Sequence, residues 1–470
     1  MFLYRGACRM RQWSAVNTTP LPSDCSLLVI GGGPAGSAVA ASAALAGMDV
    51  TVVDMQEFPR DKTCGDGLTP RAVHALTRLW GGDPGEPSPR TGSPGILSGR
   101  PEIRGLALHG FGGSVRTPWP DHPSFPPRGS AVPRTTLDAA LLDFAAACGA
   151  WVVTGWKAVD VSHVGASTAG TVDSVTFRST ERDRKETCTV RCDTLVLAEG
   201  VRSGVARLLG VRWLRGLVHG VAARSYCPTP YGDEPWIHSH LELRDAEGVA
   251  QPGYGWIFPL GPEEDGEGTR GVNLGCGALS TSRRPAKVNV KKLLGEYADL
   301  VRGEWELGEP REITSALLPM GGAVTRVSGV NWAAVGDTAA LVNPLNGEGI
   351  DYALESAQDL VELLPDAAAS PDGLRHIWPA HLRRQYGDAF SLARRLSTLL
   401  TMPGLLSAVG PLGMRGPLSD RMMAAATRLM GNLVTPADRD LTARVWLAAG
   451  RLSVGHDRYR HPDSRPLFGV

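Results

Sequence analysis

Leu27-Leu28-Val29-Ile30-Gly31-Gly32-Gly33-Pro34-Ala35-Gly36 is a short apolar run that breaks into a glycine-rich turn, and the fold is read outward from it. The run predicts a buried strand, and the small residues from Pro34 to about Ala46 predict a tightly packed helix stopped by Gly47. A second apolar strand follows at Val50 to Val53 and ends in Asp54. In such a strand–helix–strand start Gly31 makes the turn, Gly33 lets backbone approach a pyrophosphate, and Gly36 allows close helix packing. Pro34 and Ala35 open the helix whose N-terminus attracts the phosphate charge. Asp54 stands roughly 20 residues on, where a carboxylate can accept from ribose hydroxyls. With 57 Gly in 470 residues roughly one chance match to Gly-x-Gly-x-x-Gly is expected, so context decides. The other match, at Gly266, Gly268 and Gly271, sits in a charged loop with no entering strand and is set aside.

Three hundred residues later the chain reads Val335-Gly-Asp-Thr-Ala-Ala-Leu-Val-Asn-Pro-Leu-Asn-Gly-Glu-Gly-Ile-Asp351. An apolar strand, Trp332 to Val335, delivers Gly336-Asp337 to its end, where Asp337 can accept from a ribityl hydroxyl. Asn343-Pro344-Leu345 makes a turn, and Gly347-Glu348-Gly349 leads into a helix from Ile350 to Leu364. Gly349 and Ile350 then place the positive end of that helix against a flavin ring, favouring its anionic reduced form. Combined with the Gly31 loop, this predicts FAD as the cofactor.

Composition bounds the rest. The chain is 43% hydrophobic and 20% charged, enough for a large core in two or three packed units. A formal net charge of zero gives no electrostatic footprint for nucleic acid. Eight Cys occur without a Cys-x-x-Cys pair, so neither a metal site nor a disulfide framework is expected. Residues 1–25 read as a disordered extension and 81–100 as a mobile surface loop without chemistry. Leu137 to Cys148 reads as a helix. Trp151 to Val161, Val172 to Phe177 and Thr189 to Ala198 read as strands. Between Leu217 and Pro319 the pattern turns to strands, at Val218–Ala223, Ile237–Leu243, Tyr254–Phe258 and Val272–Ala278. The expected domains are a discontinuous cofactor-binding unit (26–80, 128–212 and 326–365), a substrate unit (101–127 and 213–325) and a helical region (366–470). No run of about 20 apolar residues occurs. Leu396 to Met414 reads either as a buried helix pair or as a membrane-interface segment, with Arg383, Arg384, Arg394, Arg395 and Arg415 near lipid phosphates.

Gly31-x-Gly33-Pro34-Ala35-Gly36, Phe58-Pro-Arg-Asp-Lys62, Cys64-Gly-Asp-Gly67, Tyr254-x-Trp256-x-Phe258-Pro259 and Gly336-Asp337 together resemble the geranylgeranyl reductase family of flavoproteins. Cys64-Gly-Asp-Gly-Leu-Thr-Pro-Arg71, Pro252 to Leu260, Gly277 to Pro285 and Asn343 to Tyr352 are similar, more narrowly, to the mycobacterial-type menaquinone reductases within it. The resemblance covers roughly residues 26 to 450. Glu199 departs from it, standing where Asp is usual. The resemblance implies an α/β fold: a Rossmann-like FAD-binding domain of the para-hydroxybenzoate-hydroxylase type, an inserted antiparallel β substrate domain, and a helical C-terminal region. It adds Cys64, Gly65, Asp66, Gly67 and Arg134 to the cofactor contacts, and Cys64, Tyr254 and Trp256 to the catalytic residues.

Such enzymes add two hydrogens across a trisubstituted double bond of a polyprenyl chain. That bond is not conjugated to a quinone, so protonation must accompany hydride transfer, and water must be kept out. Tyr254 and Trp256 alternate onto one side of a strand, and an aromatic face of this kind suits a developing cation. Alternatively such aromatic rows are plain core, and Cys64 a packing thiol. Each five-carbon unit of a tail gains roughly 3 to 4 kcal/mol on leaving water. The expected partners are therefore a polyprenyl lipid such as menaquinone and the membrane surface, with the protein peripheral on its cytoplasmic face. The electron donor is unidentified. A flavin monooxygenase or halogenase of the same fold, a non-catalytic prenyl-lipid binding protein and a quinone-head reductase remain competing functions.

Overall fold

The computed structural model describes residues 20–469, apart from 165–169, 182–185, 215, 245–246, 252, 263–269, 282–283, 287, 401–410, 412–418 and 461–465. The Leu27 run lies in strand Asp24–Ile30, which pairs in parallel with Val50–Val53 on one side and Thr187–Leu197 on the other. Trp151–Val153 and Trp332–Ala334 extend the parallel core to five strands. Every residue of Val50–Val53 and Trp332–Ala334 is buried, as expected of parallel strands covered on both faces. The first half of Thr187–Leu197 also joins an antiparallel meander with Val172–Ser179 and Trp156–His163. The strand expected from Trp151 to Val161 is thus two, split at Gly155, whose φ of +75° turns the chain.

The second sheet has the order Arg311–Pro319, His219–Pro228, Arg270–Ser280, Gly253–Pro262, Trp236–His240, Gly105–Gly110, Gly113–Pro118. It departs from the antiparallel expectation in one pairing, since Trp236–His240 runs parallel to Gly105–Gly110. It also carries an unexpected helix, Val290–Trp305, capped by the Asn289 side chain. Leu293, Leu294, Tyr297, Ala298, Val301 and Trp305 bury one helical stripe against the sheet. A Cβ on Gly255 would lie 2.6 Å from the Tyr297 ring, so this position on the helix-covered face is held to glycine. The alternating residues Tyr254, Trp256 and Phe258 are left to face the other way.

Residues 81–100 contain no helix or strand but are tied down, contrary to the mobile loop expected. Trp80 Nε1 donates to Glu86 O at 3.0 Å, Ser88 Oγ to Trp80 O at 2.8 Å, and Ile96 is buried. Helix Ile350–Ala369 runs past the expected end at Leu364, through Pro365. The C-terminal region contains Leu374–Leu382, Asp388–Leu400, Ser419–Met430 and Leu441–Arg460. Most of the Leu396 to Met414 segment, with Arg415, lies outside the described residues, as do positions 1–19 and both Gly266 and Gly268. Among the described residues no helix is long and apolar enough to cross a membrane.

Candidate active site

The Gly31 turn is sterically committed. Gly31 has φ +104° and a Cβ there would lie 2.3 Å from Ala198 O, while a Cβ on Gly36 would lie 1.7 Å from Gly31 O. Helix Pro34–Leu45 begins at Gly33 without a side-chain cap, leaving its first amides for a ligand. Around Gly33 stand two guanidinium groups: the position of a Cβ on it is 3.4 Å from an Arg60 nitrogen and 3.9 Å from one of Arg134. Arg134 holds Asp138 through two contacts of 2.6 Å, and Arg60 adds a third at 2.8 Å. Sequence reading missed Arg60, which lies within Phe58-Pro-Arg-Asp-Lys62.

Asp54 has a structural task beside the expected one. Its Oδ2 accepts from Gly32 N at 2.7 Å and its Oδ1 from Gln56 N at 2.8 Å, so the carboxylate clamps the glycine loop and keeps lone pairs for further donors. Glu199 receives an explanation: its carboxylate accepts from the amides of Gly204, Val205 and Ala206 at 2.8, 3.1 and 2.9 Å, capping the short helix Gly204–Leu208.

Cys64, Gly65, Asp66, Gly67, Arg134, Tyr254, Trp256, Asp337, Gly349 and Ile350 all border one chamber of about 600 Å³. Gly31, Gly33, Pro34, Ala35, Gly36 and Asp54 do not border it and belong to the neighbouring glycine loop. Tyr254, Trp256 and Phe258 form one wall, with successive ring centroids 5.8 and 6.2 Å apart. Leu396, Met423, Ala426, Leu429 and Met430 from the C-terminal helices form another. Gly65 and Gly67 are required by the aromatic strand: a Cβ on either would lie 2.8 or 2.6 Å from the Phe258 ring. Asp337 lies beside the uncapped start of helix Ile350–Ala369, its Oδ1 3.5 Å from where a Cβ on Gly349 would sit.

The polar groups behind the aromatic wall converge on Asn273, a residue sequence reading missed. It accepts from Trp256 Nε1 at 2.9 Å and donates to Cys64 O at 2.9 Å and Asp66 Oδ2 at 2.8 Å. Tyr226 OH also donates to Asp66 Oδ2, at 2.8 Å. Tyr226 pairs with Asn273 and Asn273 with Phe258 across the sheet, a register invisible in the linear sequence. Burial pushes the Asp66 carboxyl up to about 6, against its hydrogen bonds to Asn273 and Tyr226. Burial likewise pushes the Cys64 thiol up to about 11, so it is not a thiolate at neutral pH. Tyr254 OH donates to Asn346 O, joining the aromatic strand to the Asn343–Gly349 turn.

An uncapped helix start flanked by Arg60 and Arg134, and a second one facing an apolar chamber, fit a pyrophosphate and a flavin ring. The fold and site define a flavoprotein: the family described as FAD binding domain matches residues 24–369. The chain belongs to the geranylgeranyl reductase family of these FAD-dependent oxidoreductases, with the menaquinone reductases. It is 50% identical to a menaquinone reductase of Mycolicibacterium smegmatis, over 91% of this chain and 96% of that one. A geranylgeranyl bacteriochlorophyll reductase-like protein from Thermoplasma acidophilum shares the fold, with TM-score 0.65 and 18% identity over 93% of this chain and 99% of that one. A flavin-dependent brominase does so too, with TM-score 0.64 and 17% identity over 93% of this chain and all of the other.

Proposed function

We propose that this protein saturates one carbon–carbon double bond in the isoprenoid tail of menaquinone. The observation that carries the reading is the chamber itself, in which an aromatic strand and a leucine–methionine wall enclose an apolar space beside the flavin-binding elements. FAD, when bound, supplies the hydride. The chain's part is to hold the alkene in place, exclude water and deliver a proton. Tyr254 and Trp256 present ring faces to the positive charge that develops on protonation. The neutral Cys64 thiol packs at the loop that meets them. The brominase supports the halogenase alternative as fold alone, and the 50% identical reductase favours tail reduction.

A tail of this kind resides in a bilayer, so we place the protein at the cytoplasmic face of the membrane as a peripheral enzyme. Helix Leu441–Arg460 supports this with an outward stripe: Leu441, Val445 and Leu452 are 77%, 60% and 78% exposed, flanked by Arg444 and Arg451. Reducing equivalents come from an external donor of unassigned identity. Two measurements test the reading. Lipids from cells with the protein should show a gain of two mass units confined to the menaquinone tail, and no gain without it. The yellow purified protein should float with anionic vesicles. An unchanged tail mass overturns the activity, and failure to float overturns the membrane placement.

A further inference from the structure

Reduction of an unconjugated alkene consumes a proton, and Cys64, Asp66, Tyr254, Asp337 and Glu348 are the acidic side chains that border the chamber. Four of them are otherwise engaged or enclosed. Asp66 has no exposed surface, and its Oδ2 is held by Tyr226 and Asn273. The Tyr254 hydroxyl is donated to Asn346 O. Cys64 Sγ accepts from Asp66 N at 3.3 Å, and a thiol pushed up to about 11 is a weak acid. Asp337 sits against Gly349, where the cofactor reading places it.

Of these five carboxyl, thiol and phenol groups, Glu348 remains. We propose that Glu348 is the general acid of the reaction, passing the proton on its carboxyl oxygen to the less substituted carbon of the tail alkene. Its backbone is fixed, with N–H donating to Asn346 Oδ1 at 3.0 Å and C=O accepting from Asn343 N at 2.8 Å. Its carboxyl makes no hydrogen bond to the described residues, and the surface it exposes faces the chamber. The Tyr254–Asn346 bond fixes the acid's turn beside the aromatic wall. Burial first, and then the neighbouring Asp351 charge, hold the carboxyl well above the usual carboxylate range, which favours the protonated form that a general acid requires. In the transfer the alkene π pair forms the new C–H bond, and the O–H pair stays on the carboxylate. Reduced FAD, when bound, would supply the hydride that quenches the cation and would thereby give up two electrons, and solvent would return the proton to Glu348.

This assignment rests on the tail-reducing function. Glu348→Gln keeps shape and removes the acid. Infrared spectra of substrate-free protein should show a protonated-carboxyl band at neutral pH that is lost in Glu348→Gln. In single turnovers the variant should retain flavin yet reduce the alkene about 10² to 10⁴ times more slowly, with Glu348→Asp recovering part of the rate. The wild-type rate should fall as pH rises through the Glu348 transition, in a site also faced by Asp351, Asp337, Cys64, Asp66, Tyr254, Lys62 and Arg134. A band that survives in Glu348→Gln, or a wild-type rate in that variant, overturns the assignment. A wild-type enzyme that reduces no polyprenyl alkene overturns the function instead, whatever the infrared result.

Discussion

Gly65-Asp66-Gly67 and Gly347-Glu348-Gly349 are the same three-residue pattern, both border the chamber, and their carboxyls live in opposite surroundings. Asp66 adopts a left-handed backbone, φ +64°, and is fully enclosed, with two donors on one oxygen. Among the described residues Glu348 meets no donor, and it opens on the chamber. Flanking glycines let backbone pass closely in both places; what the acid does is decided by which side chains the sheet brings up behind it. Asp66 receives Tyr226 and Asn273 from two strands and becomes a brace for the loop. Glu348 is left to a ligand.

The largest expected effect breaks that symmetry in stability. Asp66→Ala removes the shared acceptor of Tyr226 and Asn273 and places a Cβ-bearing, non-capping residue at positive φ. The cost should be about 2 to 4 kcal/mol in urea unfolding on the acid side of the Asp66 transition. Glu348→Ala removes a carboxyl that has no hydrogen-bond partner among the described residues and should leave stability unchanged or slightly raised, because burial of that group is itself unfavourable. Equal losses in the two variants would mean that Glu348 has a structural partner after all.

A smaller effect follows from titration. The folded-state value of Asp66 is raised from 3.8 to about 6, so its contribution favours the fold when protonated. That contribution is complete below the unfolded value and disappears as pH rises through the folded one. Wild type should therefore lose about 2 to 3 kcal/mol relative to Asp66→Asn between these limits. Asparagine tolerates the left-handed backbone and can still accept from Tyr226, so the difference isolates the proton. Parallel pH curves for the two proteins would show that folding leaves the Asp66 titration unshifted.

The sequence made the Gly31 turn, the strand Val50–Val53 and the start of helix Ile350–Ala369 legible because each carries a local residue pattern, a glycine turn, an apolar run or a Gly-rich helix start. The helix Val290–Trp305 escaped because a run of period-two strands was extended across it, although its apolar stripe has helical spacing. The parallel pairing of Trp236–His240 with Gly105–Gly110 joins positions more than a hundred residues apart, which local pattern cannot reveal. The site followed the same division. Cys64, Tyr254 and Trp256 came from motifs, whereas Tyr226 and Asn273 act through cross-strand register. Asp54 had the right place, but its hydrogen bonds to Gly32 and Gln56 depend on how the loop folds back over it. Glu348 stands in the legible Gly347-Glu348-Gly349 turn, and what distinguishes it is a carboxyl without a hydrogen-bond partner among the described residues.

The smallest effect sharpens the contrast from the Asp66 side. Trp256 Nε1 donates to Asn273 Oδ1, and that bond orients the amide so that its nitrogen points at Cys64 O and Asp66. Trp256→Phe keeps an aromatic face in the chamber while leaving Asn273 Oδ1 without its donor, at an expected cost of roughly 1 to 2 kcal/mol. An unsupported amide can flip, which would turn its oxygen toward the Asp66 carboxylate and raise the Asp66 transition further. The infrared band of Asp66 should then titrate at higher pH in Trp256→Phe, while the Glu348 band stays where it was. If both bands move together, the two Gly-acid-Gly turns are electrostatically one site and the contrast between brace and acid fails.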